Sequence, residues 1–300
     1  MSKITQVSAQ WHDWIVQNLA RGCAIQALID DMVRNDFDPA HAEVAVRALA
    51  KARGLDEVGR IPDVSAPAGA YVYETPRLAA GNRIQTCDRE VQVLLRVNQP
   101  MVALLGNVLS EDECDELVRR AAARLQRSTI VDPARGTFEV IAERSSEGMF
   151  FAVNADPFIG RLDRRIAELM NCPVAHGEGL QVLHYNAGGE YRPHWDYFPP
   201  DEPGSATQMA TGGQRVSTLV MYLNTVTHGG ATVFPALGLE VLPSKGSAVY
   251  FEYTNSRGQI DPRTLHAGAP VSQGEKWIIT KWMRQRPYGI VPAAAAESPD

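Results

Sequence analysis

Residues 180–196 read LQVLHYNAGGEYRPHWD, and the chain beyond them keeps the same character. A run rich in β-branched and aromatic residues stops at the turn signal Asn186–Gly189, and a second short run begins at once. RVSTLVMYL, ATVF, GSAVYFEY and KWIITKWM continue the series, with turns at His228–Gly230 and Pro243–Gly246 between them. Runs this short, bounded by glycine and proline, read as strands.

Upstream of this region the period changes. Asp156-Pro157 opens a helix carrying Ile159, Leu162, Ile166, Leu169 and Met170. Ser110, with Glu113 three residues on, forms a capping box ahead of Cys114, Leu117, Val118, Ala121 and Leu125. Val91, Val93, Leu95 and Val97 alternate as a strand does. Two helices followed by many strands predict an α+β fold, with helices on one face of a sandwich or open barrel.

The first part of the chain is different again. Residues 1–60 predict a small helical accessory region, with Ile25, Leu28, Ile29, Met32 and Val33 at helix spacing. A helix opening at Asp38-Pro39 and closing at Gly54 would bury Val44, Ala45, Ala48, Leu49 and Ala52. Residues 61–89, rich in Pro, Gly and Ala, predict a linker or extended arm. Residues 90–287 then form the main domain and 288–300 a loose tail.

Composition narrows the function. The chain has 300 residues, 45% hydrophobic and 21% charged, an ordinary globular balance. A net charge of −6 gives no reason to expect nucleic-acid or membrane-surface partners. No apolar run approaches the ~18 residues of a membrane helix, and the N-terminus has no signal-peptide pattern. Cys23, Cys87, Cys114 and Cys172 are scattered, so reduced thiols and a cytoplasmic location are expected.

The chemistry concentrates in Tyr191-Arg192-Pro193-His194-Trp195-Asp196. On a strand, His194 and Asp196 would project to one face. With His266, from Thr264-Leu265-His266-Ala267-Gly268, they make two imidazoles and one carboxylate. That set leaves adjacent coordination positions open on Fe(II). By itself an HxD tripeptide is more often a pair of surface polar residues on a strand. Ten residues after His266 comes Lys276, ahead of Trp277, Ile278, Ile279 and Trp282. Buried there, it needs an anion; on an exposed edge it would need nothing.

From about residue 90 to 287 the chain resembles the prolyl 4-hydroxylases among the iron(II)/2-oxoglutarate dioxygenases. The segments carrying the resemblance are Arg144–Phe150, LQVLHYNAGGEYRPHWDYF, RVSTLVMYLN, GGATVFP, PSKGSAVYF and LHAGAPVSQGEKWIITKW, in that order. The resemblance implies a double-stranded β-helix (jelly-roll) core flanked by helices. It implies Fe(II) on His194, Asp196 and His266. It places the distal carboxylate of 2-oxoglutarate on Lys276, with Tyr185 and Thr232 as hydroxyl partners, and the substrate on Tyr191, Arg215 and Trp282. Read without it, Tyr185 and Tyr191 are strand packing, Trp282 is core and Arg215 is a surface arginine. Ala231 stands where an acidic residue is common in the family and Ala269 where a cysteine is. His184 alternates away from Tyr185 and reads as structural, and His228 as a loop residue.

The expected reaction consumes 2-oxoglutarate and O₂, releases succinate and CO₂, and hydroxylates a C–H bond. Ascorbate is a candidate co-reductant. Asp196 favours hydroxylation over halogenation, because related halogenases have a small residue there. A prolyl residue of a peptide or protein is the first substrate, with Pro199–Gly213 as a lid over it. A free amino acid or small biosynthetic intermediate is the alternative. A non-catalytic binding module is a third reading, opposed by the complete ligand set.

Overall fold

The computed structural model describes residues 3–5, 7–20, 25–51, 71–127, 130–131, 138–139 and 145–288. Cys23, the helix end at Ala52–Gly54, residues 61–70 of the expected arm, Arg144 and the tail beyond 288 lie outside them. The chain divides into two units, Met1–Pro67 and Ala68–Asp300.

The first unit holds α1 (Ala9–Ala20), α2 (Ile25–Arg34) and α3 (Pro39–Lys51). Ile15, Leu19, Leu28, Met32 and Phe37 form its core with Ala42, Val46 and Ala50 of α3. The buried face of α3 is therefore not the expected one, and Val44 is 68% exposed. Ala42, Val46 and Ala50 recur every four residues and so share one face of the helix, with Leu49 packed beside them.

The second unit contains β1 (Arg83–Gln85), β2 (Glu90–Asn98), β3 (Met101–Gly106), α4 (Glu111–Ala122), β4 (Gln126–Arg127), β5 (Ile130–Val131), β6 (Phe138–Glu139), β7 (Glu147–Phe151) and α5 (Pro157–Leu169). Further along the chain come β8 (Leu180–Tyr185), β9 (Tyr191–His194), α6 (Pro203–Ala210), β10 (Arg215–Tyr222), β11 (His228–Gly229), β12 (Thr232–Phe234), β13 (Leu239–Val241), β14 (Ala248–Glu252), β15 (His266–Gly268), β16 (Val271–Gln273) and β17 (Lys276–Arg284). Nine strands form one sheet in the order β1-β2-β3-β14-β10-β17-β8-β7-β4. A second sheet runs β13-β12-β15-β9, and the strand pairs are antiparallel.

The large sheet is covered on both faces, so β8 and β17 are buried along their whole length. Their side chains still alternate between two cores. Val182, Trp277, Ile279 and Met283 join Leu117, Leu162 and Ile166 of α4 and α5 in one core. Leu183, Tyr185 and Ile278 join Phe234 and Val241 of the small sheet in the other. Both helices are capped as expected. Ser110 and Glu113 close a reciprocal capping box, and Asp156 accepts from the backbone N–H groups of Phe158 and Ile159.

Three expectations need correcting. The alternation of β2 breaks at a bulge between Val93 and Leu95, which leaves Leu95 39% exposed. The main domain begins before residue 90. β1 is the outermost strand of the large sheet, and residues 71–78 are tied to the second unit by side-chain hydrogen bonds at Glu252, Ser256, Gln259 and Asp261. The expected arm is thus held, from Tyr71 onward, by partners its composition could not reveal. Finally, the segment expected as a loop-like lid, Pro199–Gly213, contains α6. It is anchored by Arg284 to the Thr211 carbonyl at 2.7 Å and by Gln214 to the backbone of Phe198.

Candidate metal and cosubstrate site

β9 and β15 pair so that His194 and His266 are direct neighbours. β9 ends at His194, so Asp196 lies just past the strand rather than on it. Its carboxylate still turns inward. Asp196 Oδ1 is 3.7 Å from His194 Nε2, and Oδ2 is 3.7 Å from His266 Nε2. One ligand atom from each of the three residues lies within 4.8 Å of the others.

Each imidazole is oriented by its own backbone. His194 Nδ1 meets the Arg192 carbonyl at 2.8 Å and His266 Nδ1 the Thr264 carbonyl at 3.1 Å. A carbonyl can only accept, so both Nδ1 atoms carry a proton and both Nε2 atoms, turned toward Asp196, are left for a metal. Such partners fix tautomer and ring direction in metal-ligating histidines. The Tyr191 ring stacks on His194 at 3.6 Å between centroids. Thr218 donates to Asp196 Oδ2 at 2.7 Å and meets the Tyr253 hydroxyl at 3.0 Å. Burial opposes ionisation of Asp196, but His266 and His194 when they are protonated, together with Arg215 and the Thr218 hydroxyl, outweigh it and hold the pKa below the usual carboxylate range. Two neutral imidazoles and a carboxylate converging on one point fit a divalent iron with positions left open.

The cluster opens onto a cavity of about 440 Å³ between the two sheets. All nine of the residues named from the sequence line it: His194, Asp196, His266, Lys276, Tyr185, Thr232, Tyr191, Arg215 and Trp282. Lys276 faces Tyr185 in register across β17 and β8. It is 3% exposed, and burial lowers its pKa to about 8. Among the described residues no carboxylate pairs with it; its Nζ lies 5.8 and 5.9 Å from the ring centroids of Tyr185 and Tyr222. The edge-strand alternative is therefore excluded. Thr232 accepts from the Tyr222 hydroxyl at 2.8 Å.

Arg215 is half-buried rather than superficial, its side chain 16% exposed. Glu178 takes it in two hydrogen bonds, at 2.7 and 2.9 Å, and its third reaches the Asp196 carbonyl at 3.1 Å. The guanidinium also lies 4.0 Å over the Trp282 ring. Trp282 Nε1 is buried without a hydrogen-bond partner among the described residues. His184 sits on the helix-side face, stacked on Trp277 at 4.2 Å and bonded to Glu275 at 2.7 Å, as its register implied. His228 is exposed, in the short strand β11.

Sequence reasoning missed four polar residues here. Thr218 and Tyr222 share the cavity-facing register of β10 and stood out as polar positions in the apolar run RVSTLVMY. Tyr253 and Glu178 carried no such signal.

The sequence pattern of the 2OG-Fe(II) oxygenase superfamily matches residues 180–284. The chain is 38% identical over 211 residues to probable prolyl 4-hydroxylase 3 of Arabidopsis thaliana, covering 64% of this chain and 72% of that relative. It is 36% identical over 189 residues to prolyl 4-hydroxylase subunit alpha-1 of Mus musculus, covering 63% of this chain and 35% of that protein. Among solved structures, the viral collagen prolyl hydroxylase of Paramecium bursaria Chlorella virus-1 in its 2OG complex is similar at a TM-score of 0.48 and 27% identity, over 61% of this chain and 95% of that one. The cofactor set of the superfamily is Fe(II) with 2-oxoglutarate and O₂, and the His-Asp-His cluster suits it. On the extent of the similarity to its plant relative, the chain belongs to the prolyl 4-hydroxylase family of 2OG-Fe(II) oxygenases.

Proposed function

We propose that this enzyme hydroxylates a prolyl residue of a peptide or protein, with His194, Asp196 and His266 holding Fe(II) and Lys276 anchoring the distal carboxylate of 2-oxoglutarate. The observation that carries the cosubstrate assignment is Lys276 itself. A desolvated ammonium with no carboxylate beside it, in the same cavity as a metal-ligand cluster, is a receptor for an anion. Thr232 and Tyr185 line the cavity near it and supply hydroxyls for the same carboxylate. Bound iron, 2-oxoglutarate and O₂ supply the oxidising power, with succinate and CO₂ as by-products.

The rest of the work falls to the chain. The small and large sheets, which we read as the two halves of a jelly roll, enclose the cavity, and the small sheet carries the ligands. Phe150, Trp195, Phe198 and Pro199 give it an apolar wall suited to a pyrrolidine ring. Tyr191, stacked on His194, and Trp282 with Arg215 over its face stand at the substrate side. Arg215 is clamped there by Glu178, which it shares with Arg284.

Mass spectrometry of a library of prolyl peptides and free amino acids, after incubation with Fe(II), 2-oxoglutarate, ascorbate and air, tests this directly. The proposal expects an added oxygen on a prolyl peptide. Modification of free amino acids alone, or of a residue other than proline, would overturn it.

A further inference from the structure

The segment Tyr71–Leu78 has no helix or strand, yet its backbone and side chains are held at several points. Val72 N–H donates to Gln259 at 3.1 Å, the Val72 carbonyl accepts from Asn255 at 3.1 Å, and the Arg77 N–H reaches Glu252 at 2.8 Å. Glu74 accepts from the Ser256 hydroxyl at 2.6 Å. The contact that leads inward is the Tyr73 hydroxyl, which donates to Asp261 Oδ2 at 2.7 Å. Burial and Asp261 push the Tyr73 pKa up to about 12, which keeps the hydroxyl a donor.

Asp261 is 1% exposed. Its other oxygen caps the short turn Pro262–Thr264 through the Arg263 N–H at 3.0 Å, and its carbonyl accepts from the Thr264 hydroxyl at 2.7 Å. That turn is bonded to one residue of the metal-ligand cluster and to the chain neighbour of the other two. The Thr264 carbonyl orients His266 through Nδ1 at 3.1 Å. The Pro262 carbonyl accepts from Trp195 Nε1 at 2.9 Å, and Trp195 lies between His194 and Asp196 in sequence.

We infer that Tyr73 is a positioning residue for the metal centre, acting through Asp261 and the turn it caps. The inference rests on the reading that His194, Asp196 and His266 hold the metal. Removing the hydroxyl leaves one oxygen of a buried carboxylate without its donor. Asp261 is then free to rotate off its cap, and the Thr264 carbonyl loses the fixed place from which it aims His266. Tyr71 is the internal control. Its ring lies 4.9 Å from that of Tyr73, on the same strap, but it is not in the chain of bonds to Asp261.

Co(II), whose visible absorption reports coordination geometry, is the probe, titrated into the full-length apo-protein for wild type, Tyr73→Phe, Tyr71→Phe, Asp261→Asn and His266→Ala. Tyr73→Phe is expected to weaken Co(II) binding about tenfold, the low end for partners that orient a metal-ligating imidazole, and to alter the bound spectrum. Tyr71→Phe should match wild type in both, and the melting temperatures of the two phenylalanine variants should agree. Asp261→Asn retains a cap acceptor and should change the spectrum in the same sense as Tyr73→Phe, which provides a second reading if Tyr73→Phe folds poorly. If Tyr73→Phe and Asp261→Asn bind Co(II) with wild-type affinity and spectrum, or if Tyr71→Phe loses as much, the positioning role is wrong. If His266→Ala binds as tightly as wild type, the ligand assignment beneath it has failed instead.

Discussion

Lys276 and Lys281 lie on one strand, both buried, on opposite faces. Lys281 points to the helix side and meets Asp163 of α5 at 2.7 Å, with both side chains fully buried. Gly177 leaves room for it: a Cβ at that position would come within 2.5 Å of Lys281 Cε. Lys276 points into the cavity and has no carboxylate among the described residues. Burial lowers the pKa of both, but only at Lys281 does a carboxylate work against that fall. On the proposed function the same residue type, a few positions apart, serves two purposes. A paired charge completes the folded chain, whereas an unpaired one destabilises it until a ligand arrives.

The largest effect sets the frame for that contrast. Removing any of His194, Asp196 or His266 as alanine should abolish succinate release while leaving both lysines in place. Turnover near wild type in any of the three would show that the cavity's chemistry does not depend on the cluster.

Next comes the structural lysine. Lys281→Ala strands Asp163 as a buried charge and should cost roughly 3–5 kcal/mol in urea unfolding. Replacing Asp163 together with Lys281 should recover part of that loss. The folded fraction should still bind 2-oxoglutarate normally. A Lys281→Ala protein of wild-type stability would mean the pair contributes nothing.

Lys276 should behave in the opposite way in the apo-protein. Its pKa falls from 10.5 to about 8 on folding, so between those values the unfolded chain binds more protons and stability rises with pH. The penalty is complete below pH 8 and gone above 10.5. Lys276→Met should therefore raise apo stability at pH 7 by up to about 3 kcal/mol, with the gain shrinking as pH rises through that window. Denaturant melts from pH 7 to 10 check the sign. A gain that is absent, or that grows with pH, would place Lys276 in contact with an anion of the chain itself. The smallest effect is at Thr232. Loss of one hydroxyl partner in Thr232→Val should weaken 2-oxoglutarate binding about fivefold, the equivalent of a single hydrogen bond of about 1 kcal/mol, measured by calorimetry.

The same two lysines show what the sequence made legible. Lys276 could be singled out because it follows the His266 motif at a fixed distance and because its neighbours are apolar. Lys281 could not, since its partner stands on a helix far upstream and nothing local to KWIITKW marks it. Strand periodicity and capping residues located the main-domain elements, because those signals reside in neighbours along the chain. They failed where a distant contact decided the outcome. The strap at Tyr71–Leu78 has the composition of a linker and is ordered by Glu252, Ser256 and Asp261. The buried face of α3 carries Ala42, Val46 and Ala50, and which face turns inward was decided by the side chains of α1 and α2 that it packs against. Asp196 reaches the cluster from beyond the strand end, so the two-residue spacing pointed to the right residue by a geometry other than the expected one.

The central claim is that Lys276 is held unpaired for the cosubstrate. The most direct test is an anaerobic titration of 2-oxoglutarate into the Fe(II)-loaded protein, comparing wild type with Lys276→Ala, Lys276→Arg and Lys281→Ala. Lys276→Ala should lose on the order of a hundredfold in affinity, consistent with breaking a buried ion pair at about 1.4 kcal/mol per tenfold. Lys276→Arg should lose less, because it keeps the charge in a different geometry. Lys281→Ala, measured on folded protein, should bind as wild type. Wild-type affinity in Lys276→Ala would contradict the account and leave the carboxylate to another cation of the cavity, Arg215 first among them.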